Sequence, residues 1–215
     1  MEHTVLAQTL YSFNCPAEPL AAVQQFCADL PWETVQRRGD NSKAGRSYIH
    51  PEATLQAVPE LDALHHWMET CLNEVRANVG WREETVRDLA ISQSWLNRSD
   101  VGELHHRHHH PLSILSGILY LSEPSVTRFI APSIWALPRV LAPDKTSGQQ
   151  VTYHDFSGRS GEFVVFPSTL KHEVGPNLEP HARITLSVNS WFRGAVGRLE
   201  ELAYIPANIS SSSRS

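Results

Sequence analysis

His108-His109-His110-Pro111-Leu112-Ser113-Ile114-Leu115-Ser116-Gly117-Ile118-Leu119-Tyr120-Leu121 is the stretch that decides the fold. It reads as a buried strand over 113–121 with two histidines, His108 and His110, at its mouth. In an extended chain residues i and i+2 project to one face, so these two imidazoles can converge on a single ion. A third ligand must then come from a distant strand. His172 is placed to supply it, after the strand-like run Glu162-Phe163-Val164-Val165-Phe166 and the turn Pro167-Ser168. Further on, Arg183 opens another strand, Ile184-Thr185-Leu186-Ser187-Val188.

Working outward, Leu89, Ile91, Gln93 and Trp95 alternate with Ala90, Ser92, Ser94 and Leu96, the period of a strand with two distinct faces. Further strand-like runs occupy 126–130, 151–156, 162–166 and 183–192. The first part of the chain has helical spacing instead. Leu20, Val23, Phe26, Cys27 and Leu30 form one stripe behind Pro19. Leu61, Leu64, Met68, Leu72 and Val75 form a second, opened by Pro59 and closed by Gly80. Helices first and many short strands afterwards predict an α+β chain, mainly β, with a jelly roll or barrel and helices on one outer face. The expected organisation is one domain over 1–215: a helical part to about residue 85, a core over about 86–195 and a polar tail over about 206–215. The turn-rich segment 39–46 reads as a connecting loop. The segment 131–146, with Pro132, Pro138 and Pro143, reads as an irregular cover over the open end.

A chain of 215 residues, 41% hydrophobic and with net charge −5, can bury a sizeable core and has no general basic face for a phosphate backbone. No nucleic-acid partner is therefore expected. Cys15, Cys27 and Cys71 are odd in number with no CxxC spacing, and read as free core thiols in a reducing, cytoplasmic compartment. The sequence contains neither a signal-peptide pattern nor an apolar run of membrane-spanning length, so no membrane partner is expected. Near the C-terminus Leu199, Leu202, Tyr204 and Ile205 are candidates for a homodimer contact.

Imidazoles bind iron, copper, zinc and nickel alike, so the histidines do not choose the metal. Arg183 narrows the chemistry: a guanidinium held on a barrel strand beside a metal suits a two-oxygen clamp on a carboxylate. A small diacid could chelate the metal at one end and dock on Arg183 at the other. Against this stand plainer readings. Five of the twelve histidines lie between His105 and His110, a tract that can simply scavenge metal. Tyr120 can be a core aromatic and Asn97 a turn residue. Trp95, Trp135 and Phe129 are candidates for the substrate side, although unplaced aromatics are usually core.

Two blocks carry a resemblance. One is Trp95-Leu96-Asn97, Gly102, His108-His109-His110-Pro111, Ser113, Leu115-Ser116-Gly117 and Tyr120-Leu121. The other is Gly161-Glu162, Phe166-Pro167-Ser168, Leu170, His172, Val174, Pro176-Asn177, Arg183-Ile184, Ser187 and Asn189. Both resemble a 2-oxoglutarate/iron(II) oxygenase family found in marine bacteria, cyanobacteria and their phages. Asp40-Asn41 with Gly45-Arg46-Ser47 is a weaker match to the same family. The resemblance implies a double-stranded β-helix (jelly-roll) core with Fe(II) as cofactor and 2-oxoglutarate and O2 as cosubstrates. It implies His108, His110 and His172 as metal ligands. Arg183 and Thr185 would hold the far carboxylate of 2-oxoglutarate, with Tyr120 and Asn97 as further cosubstrate contacts. The implied reaction forms succinate and CO2 and hydroxylates an unactivated C–H bond of a small-molecule or peptide substrate.

The common ligand set in such oxygenases has a carboxylate where His110 stands. A neutral imidazole there leaves the bound iron one charge unit more positive, which favours a dianionic cosubstrate. Glu103 or Asp100 could take that place instead, and His105, His106 or His109 could replace a neighbour. A halogenase would carry a small residue at this position. Two other readings stay open: a cupin-like three-histidine dioxygenase without cosubstrate, and a non-catalytic barrel that binds metal or a small acid.

Overall fold

The computed structural model describes residues 9–35, 44–52, 55–81, 88–130, 153–198, 200 and 203–205. In chain order the early elements are β1 (Tyr11–Asn14), α1 (Ala17–Asp29), β2 (Arg46–Ile49), α2 (Asp62–Val79), β3 (Asp88–Ser99) and β4 (His105–His108). Then come β5 (Leu115–Tyr120), β6 (Ser125–Ile130), β7 (Tyr153–Gly158) and β8 (Glu162–Pro167). The last are β9 (His172–Val174), β10 (Arg183–Arg193), β11 (Val196–Arg198) and β12 (Ala203–Ile205). A six-stranded sheet runs β1-β8-β5-β10-β3-β2 and a four-stranded sheet β4-β9-β6-β7, each antiparallel throughout. The pair forms the double-stranded β-helix, with β11 and β12 as a separate ribbon.

The larger sheet is covered on both faces, which explains its sequence. All six residues of β5 are buried, so it reads as a continuous apolar run and not as an alternation. On one side lies α2, whose stripe Leu64, Met68, Leu72 and Val75 packs with Leu89, Leu96, Leu119, Leu186 and Val188 in one core. The Trp67 and Phe163 rings meet there at 5.6 Å. Truncating Met68 or Leu72 to Ala would cost about 2–5 kcal/mol. On the other side Ile118, Tyr120, Phe129, Val164, Phe166 and Leu170 fill the space between the sheets. The smaller sheet faces water outside, and β6 alternates accordingly: Ser125, Thr127 and Phe129 are buried while Val126 is exposed. Pro59 opens a short 3-10 turn leading into α2, and Gly80 closes that helix at φ 77, a left-handed conformation glycine adopts without strain.

Two features differ from the sequence expectation. The part expected to be helical also supplies strands β1 and β2, which form the edges of the larger sheet. The second concerns β3. Leu89, Ile91, Gln93 and Trp95 do not share a face, because the ladder with β10 shifts register: Asn189 pairs with Gln93 but Ser190 with Ile91. Ser92 is the extra residue of a bulge, which reverses the inward parity. Leu89 and Ile91 lie in the helix-side core, whereas Trp95 lines the cavity between the sheets. The loop at 39–43, the whole segment 131–146 with Trp135, Leu199, Leu202 and the tail over 206–215 lie outside the described residues. No described helix is long and apolar enough to cross a membrane.

Candidate active site

The site lies between the two sheets. His108 ends β4 and pairs directly with His172 at the start of β9, which in turn pairs with Phe129. His110 lies just past β4, where its N–H donates to the Ser168 carbonyl at 2.9 Å. Ligand atoms of His108, His110 and His172 all fall within 4.8 Å of one another. Nδ1 of His108 lies 2.7 Å from the His106 carbonyl and Nδ1 of His172 lies 3.0 Å from the Leu170 carbonyl. A carbonyl only accepts, so Nδ1 carries the proton in both rings and Nε2 keeps its lone pair for a metal. The donor set thus fits a divalent transition metal.

Neither carboxylate considered as a third ligand joins this cluster. Asp100 is held in ion pairs by Arg46 at 2.6 Å and Arg98 at 2.9 Å. Partial burial opposes ionisation of Asp100, but hydrogen bonds from Arg98 and Arg46 and their charges outweigh it and hold its carboxyl below the usual range. Glu103, buried, accepts from the Asp100 backbone N–H at 2.9 Å.

Arg183 lines the same cavity and is only 8% exposed. Its Nη2 donates to the Gly175 carbonyl at 2.9 Å, and no carboxylate among the described residues pairs with it. Burial lowers the guanidinium's pKa, with Tyr120 pulling the other way. A buried cation without an anion is costly unless a ligand supplies one. Tyr120, opposite Thr185 in the ladder, donates to Thr127 Oγ1 at 2.8 Å, and burial pushes its hydroxyl pKa upward. Asn97 is not in a turn. It faces inward from the middle of β3, accepting from Ser47 at 2.8 Å and donating to Ser187 at 3.0 Å and Thr185 at 3.4 Å. Asn97, Tyr120, Arg183 and Thr185 therefore all reach one cavity with the three histidines. Trp95 also lines it, 5.5 Å from the His110 ring, while Phe129 packs on Phe166 and His172 as core. Sequence reasoning missed Thr127, Ser187 and Ser99. The alternation along β3, β6 and β10 is the signal that could have found them.

Residues 93–189 match the family model for 2OG-Fe(II) oxygenases. The matched stretch contains His108, His110, His172 and Arg183. The fold agrees, and solved oxygenases are similar across most of this chain's length. A Pseudomonas putida prolyl-4-hydroxylase is 17% identical with TM-score 0.59, over 87% of this chain and 94% of that one. The non-heme alpha-ketoglutarate-dependent carbocyclase SnoK from nogalamycin biosynthesis is 12% identical with TM-score 0.65, over 95% and 90%. HygX from Streptomyces hygroscopicus, solved with nickel, 2-oxoglutarate and hygromycin B, is 14% identical with TM-score 0.54, over 85% and 82%. No curated protein matches this chain in sequence.

Proposed function

We propose that this chain is a 2-oxoglutarate/Fe(II) oxygenase that couples decarboxylation of 2-oxoglutarate to succinate and CO2 with hydroxylation of an unactivated C–H bond on a small molecule or peptide. The observation that carries the reading is a buried, carboxylate-free Arg183 on the same cavity as three converging imidazoles. His108, His110 and His172 would hold Fe(II), which with 2-oxoglutarate and O2 supplies the oxidising chemistry. The Nδ1–H bonds to backbone carbonyls hold two of the ligand rings in orientation. Arg183 clamps the far carboxylate of the cosubstrate and gains the anion that its burial demands. Thr185 and Tyr120 sit side by side on β10 and β5 to share that carboxylate, and Asn97 holds the Thr185 hydroxyl in place. Ile118, Phe166 and Val174 wall the cavity and exclude water. The described strands, β1 and β2 included, support one domain. The free thiols of Cys15, Cys27 and Cys71 support a reducing, cytoplasmic setting.

A cupin-like dioxygenase without cosubstrate has no use for Arg183, and neither does a metal-scavenging loop. The test is anaerobic loading with Fe(II) followed by 2-oxoglutarate, read by the weak visible charge-transfer band of an iron-chelated 2-oxo acid. The band is expected in the native enzyme and absent in His172→Ala. Iron binding with no band on adding 2-oxoglutarate would remove the cosubstrate from the mechanism.

A further inference from the structure

Successive inward positions of β10 pass from Arg183 through Thr185 and Ser187 to Asn189, and from Arg183 to Asn189 the strand runs roughly 20 Å. Each has a neighbour across the ladder: Ser99, Asn97, Trp95 and Gln93 on β3. The histidines sit part-way along, level with Trp95, whose ring lies 5.5 Å from that of His110. Arg183 and its neighbours account for the inner end. The outer row, Gln93 and Asn189 with Ser116 of β5, lies beyond the metal ligands on the opposite side.

This row opens on a second cavity of about 330 Å³, lined by Ser92, Gln93, His110, Pro111, Leu112 and Asn189. It shares His110 with the first cavity, so whatever fills it lies beside a metal ligand. The β3 bulge builds it. In a regular strand Ser92 and Gln93 would point to opposite faces, but with Ser92 unpaired in the ladder both line one cavity. The polar groups there are not used up internally. Asn189 Oδ1 accepts from Ser116 at 2.8 Å, and Ser116 in turn bonds Ser168 at 2.8 Å. That fixes the carboxamide and leaves the Nδ2 donors without a partner among the described residues. The Gln93 carboxamide, half-buried, makes no hydrogen bond to any described residue. No Lys, Arg, Asp or Glu of the described residues lines the cavity, and its rim carries Pro111 and Leu112, the latter 83% exposed.

We propose that Gln93 and Asn189 are the specificity-determining residues for the prime substrate, and that they read the amide groups of an uncharged internal peptide segment. Asn189 Nδ2 donates to a substrate carbonyl, and Gln93 both accepts from an amide N–H and donates. Two neutral carboxamides match the alternating donors and acceptors of a peptide edge, whereas a free amino acid would bring charges this cavity has nothing to balance. Pro111 and Leu112 contact the aliphatic side chain presented beside His110. This assignment rests on the oxygenase reading above.

The experiment uses the full chain loaded with Ni(II) and saturated with 2-oxoglutarate, which holds the cosubstrate without turnover. Capped tripeptides, acetyl-Ala-X-Ala-amide with X aliphatic, are titrated calorimetrically beside the corresponding free amino acids. At least one capped peptide is expected to bind, the free amino acids not to bind, and Gln93→Leu and Asn189→Leu each to weaken the peptide about tenfold, the loss of one hydrogen bond. Gln93→Glu, which places a charge in the cavity, should weaken it further. The Fe(II)–2-oxoglutarate band, measured on each variant, reports that fold and cosubstrate site are intact. Formation of that band with no capped peptide binding overturns the assignment while leaving the oxygenase reading in place. Tighter binding of a free amino acid, or unchanged peptide affinity in both Leu variants, also overturns it. Loss of the band in the native enzyme would instead be a failure of the oxygenase reading.

Discussion

Replacing Arg183 by Met keeps most of the aliphatic stem and removes the guanidinium, and the structure predicts effects of opposite sign on two measurements. In the ligand-free chain the guanidinium is 8% exposed and its one hydrogen-bond partner among the described residues is the Gly175 carbonyl, so its removal relieves a desolvated charge. Thermal stability of the metal-free variant should therefore equal or exceed that of the native chain. Cosubstrate binding should move the other way. Removing one partner of a buried, hydrogen-bonded charge pair costs about 2–5 kcal/mol. At about 1.4 kcal/mol per factor of ten, that weakens 2-oxoglutarate by roughly thirty-fold to several thousand-fold. Fe(II) affinity should stay within about twofold, because Arg183 is not one of the clustered ligands. The assay is anaerobic titration of the Fe(II)-loaded variant with 2-oxoglutarate, following the visible band, alongside thermal unfolding of the metal-free chain. A variant that binds 2-oxoglutarate within threefold of native would refute the clamp. So would equal loss of metal and cosubstrate together with a lowered Tm, which would make Arg183 a structural residue.

Two further predictions follow from packing and burial. A Cβ on Gly158 would lie 2.2 Å from the Tyr120 ring, so Gly158→Ala should displace that ring, break its bond to Thr127 and weaken 2-oxoglutarate about tenfold, at a stability cost of about 1–3 kcal/mol. An unchanged band titration in that variant would show that Tyr120 does not serve the cosubstrate. His65, 2% exposed in α2 with neither ring nitrogen hydrogen-bonded to any described residue, has its pKa lowered to about 4, chiefly by burial, with Asp62 opposing and His66 adding to the shift. The unfolded chain takes up this proton near pH 6.5 and the folded chain only near 4, so its contribution is complete above 6.5 and is lost as pH falls toward 4. Over that window the loss approaches about 3 kcal/mol, and His65→Leu should flatten it in denaturant unfolding measured from pH 4 to 7. An identical pH slope in native and variant would count against a buried neutral imidazole.

Much of this protein is legible from local pattern because the relevant physics is local. The α2 stripe, the Pro59 and Gly80 boundaries, the apolar run of β5 and the paired histidines at its mouth all follow from side-chain period and backbone preference. The same holds for the order His108, His110, His172, Arg183, which needs only strands that return to one barrel. Other features depend on partners far away in the chain. β1 and β2 have little strand signature of their own and exist because β8 and β3 offer them open edges. The bulge at Ser92 arises from the register of β10 against β3, and a parity count along β3 alone places Gln93 and Trp95 on the wrong face. Asp100 and Glu103 sit close enough in sequence to compete for the metal, and only the fold shows Arg46 and Arg98 holding Asp100 away. What the sequence determined by itself was the residue types and their periodicity, which are properties of one segment at a time. Which of those residues share a cavity, which charge stays unpaired and which carboxylate is sequestered were decided by tertiary structure, because each is a relation between segments brought together only when the two sheets close.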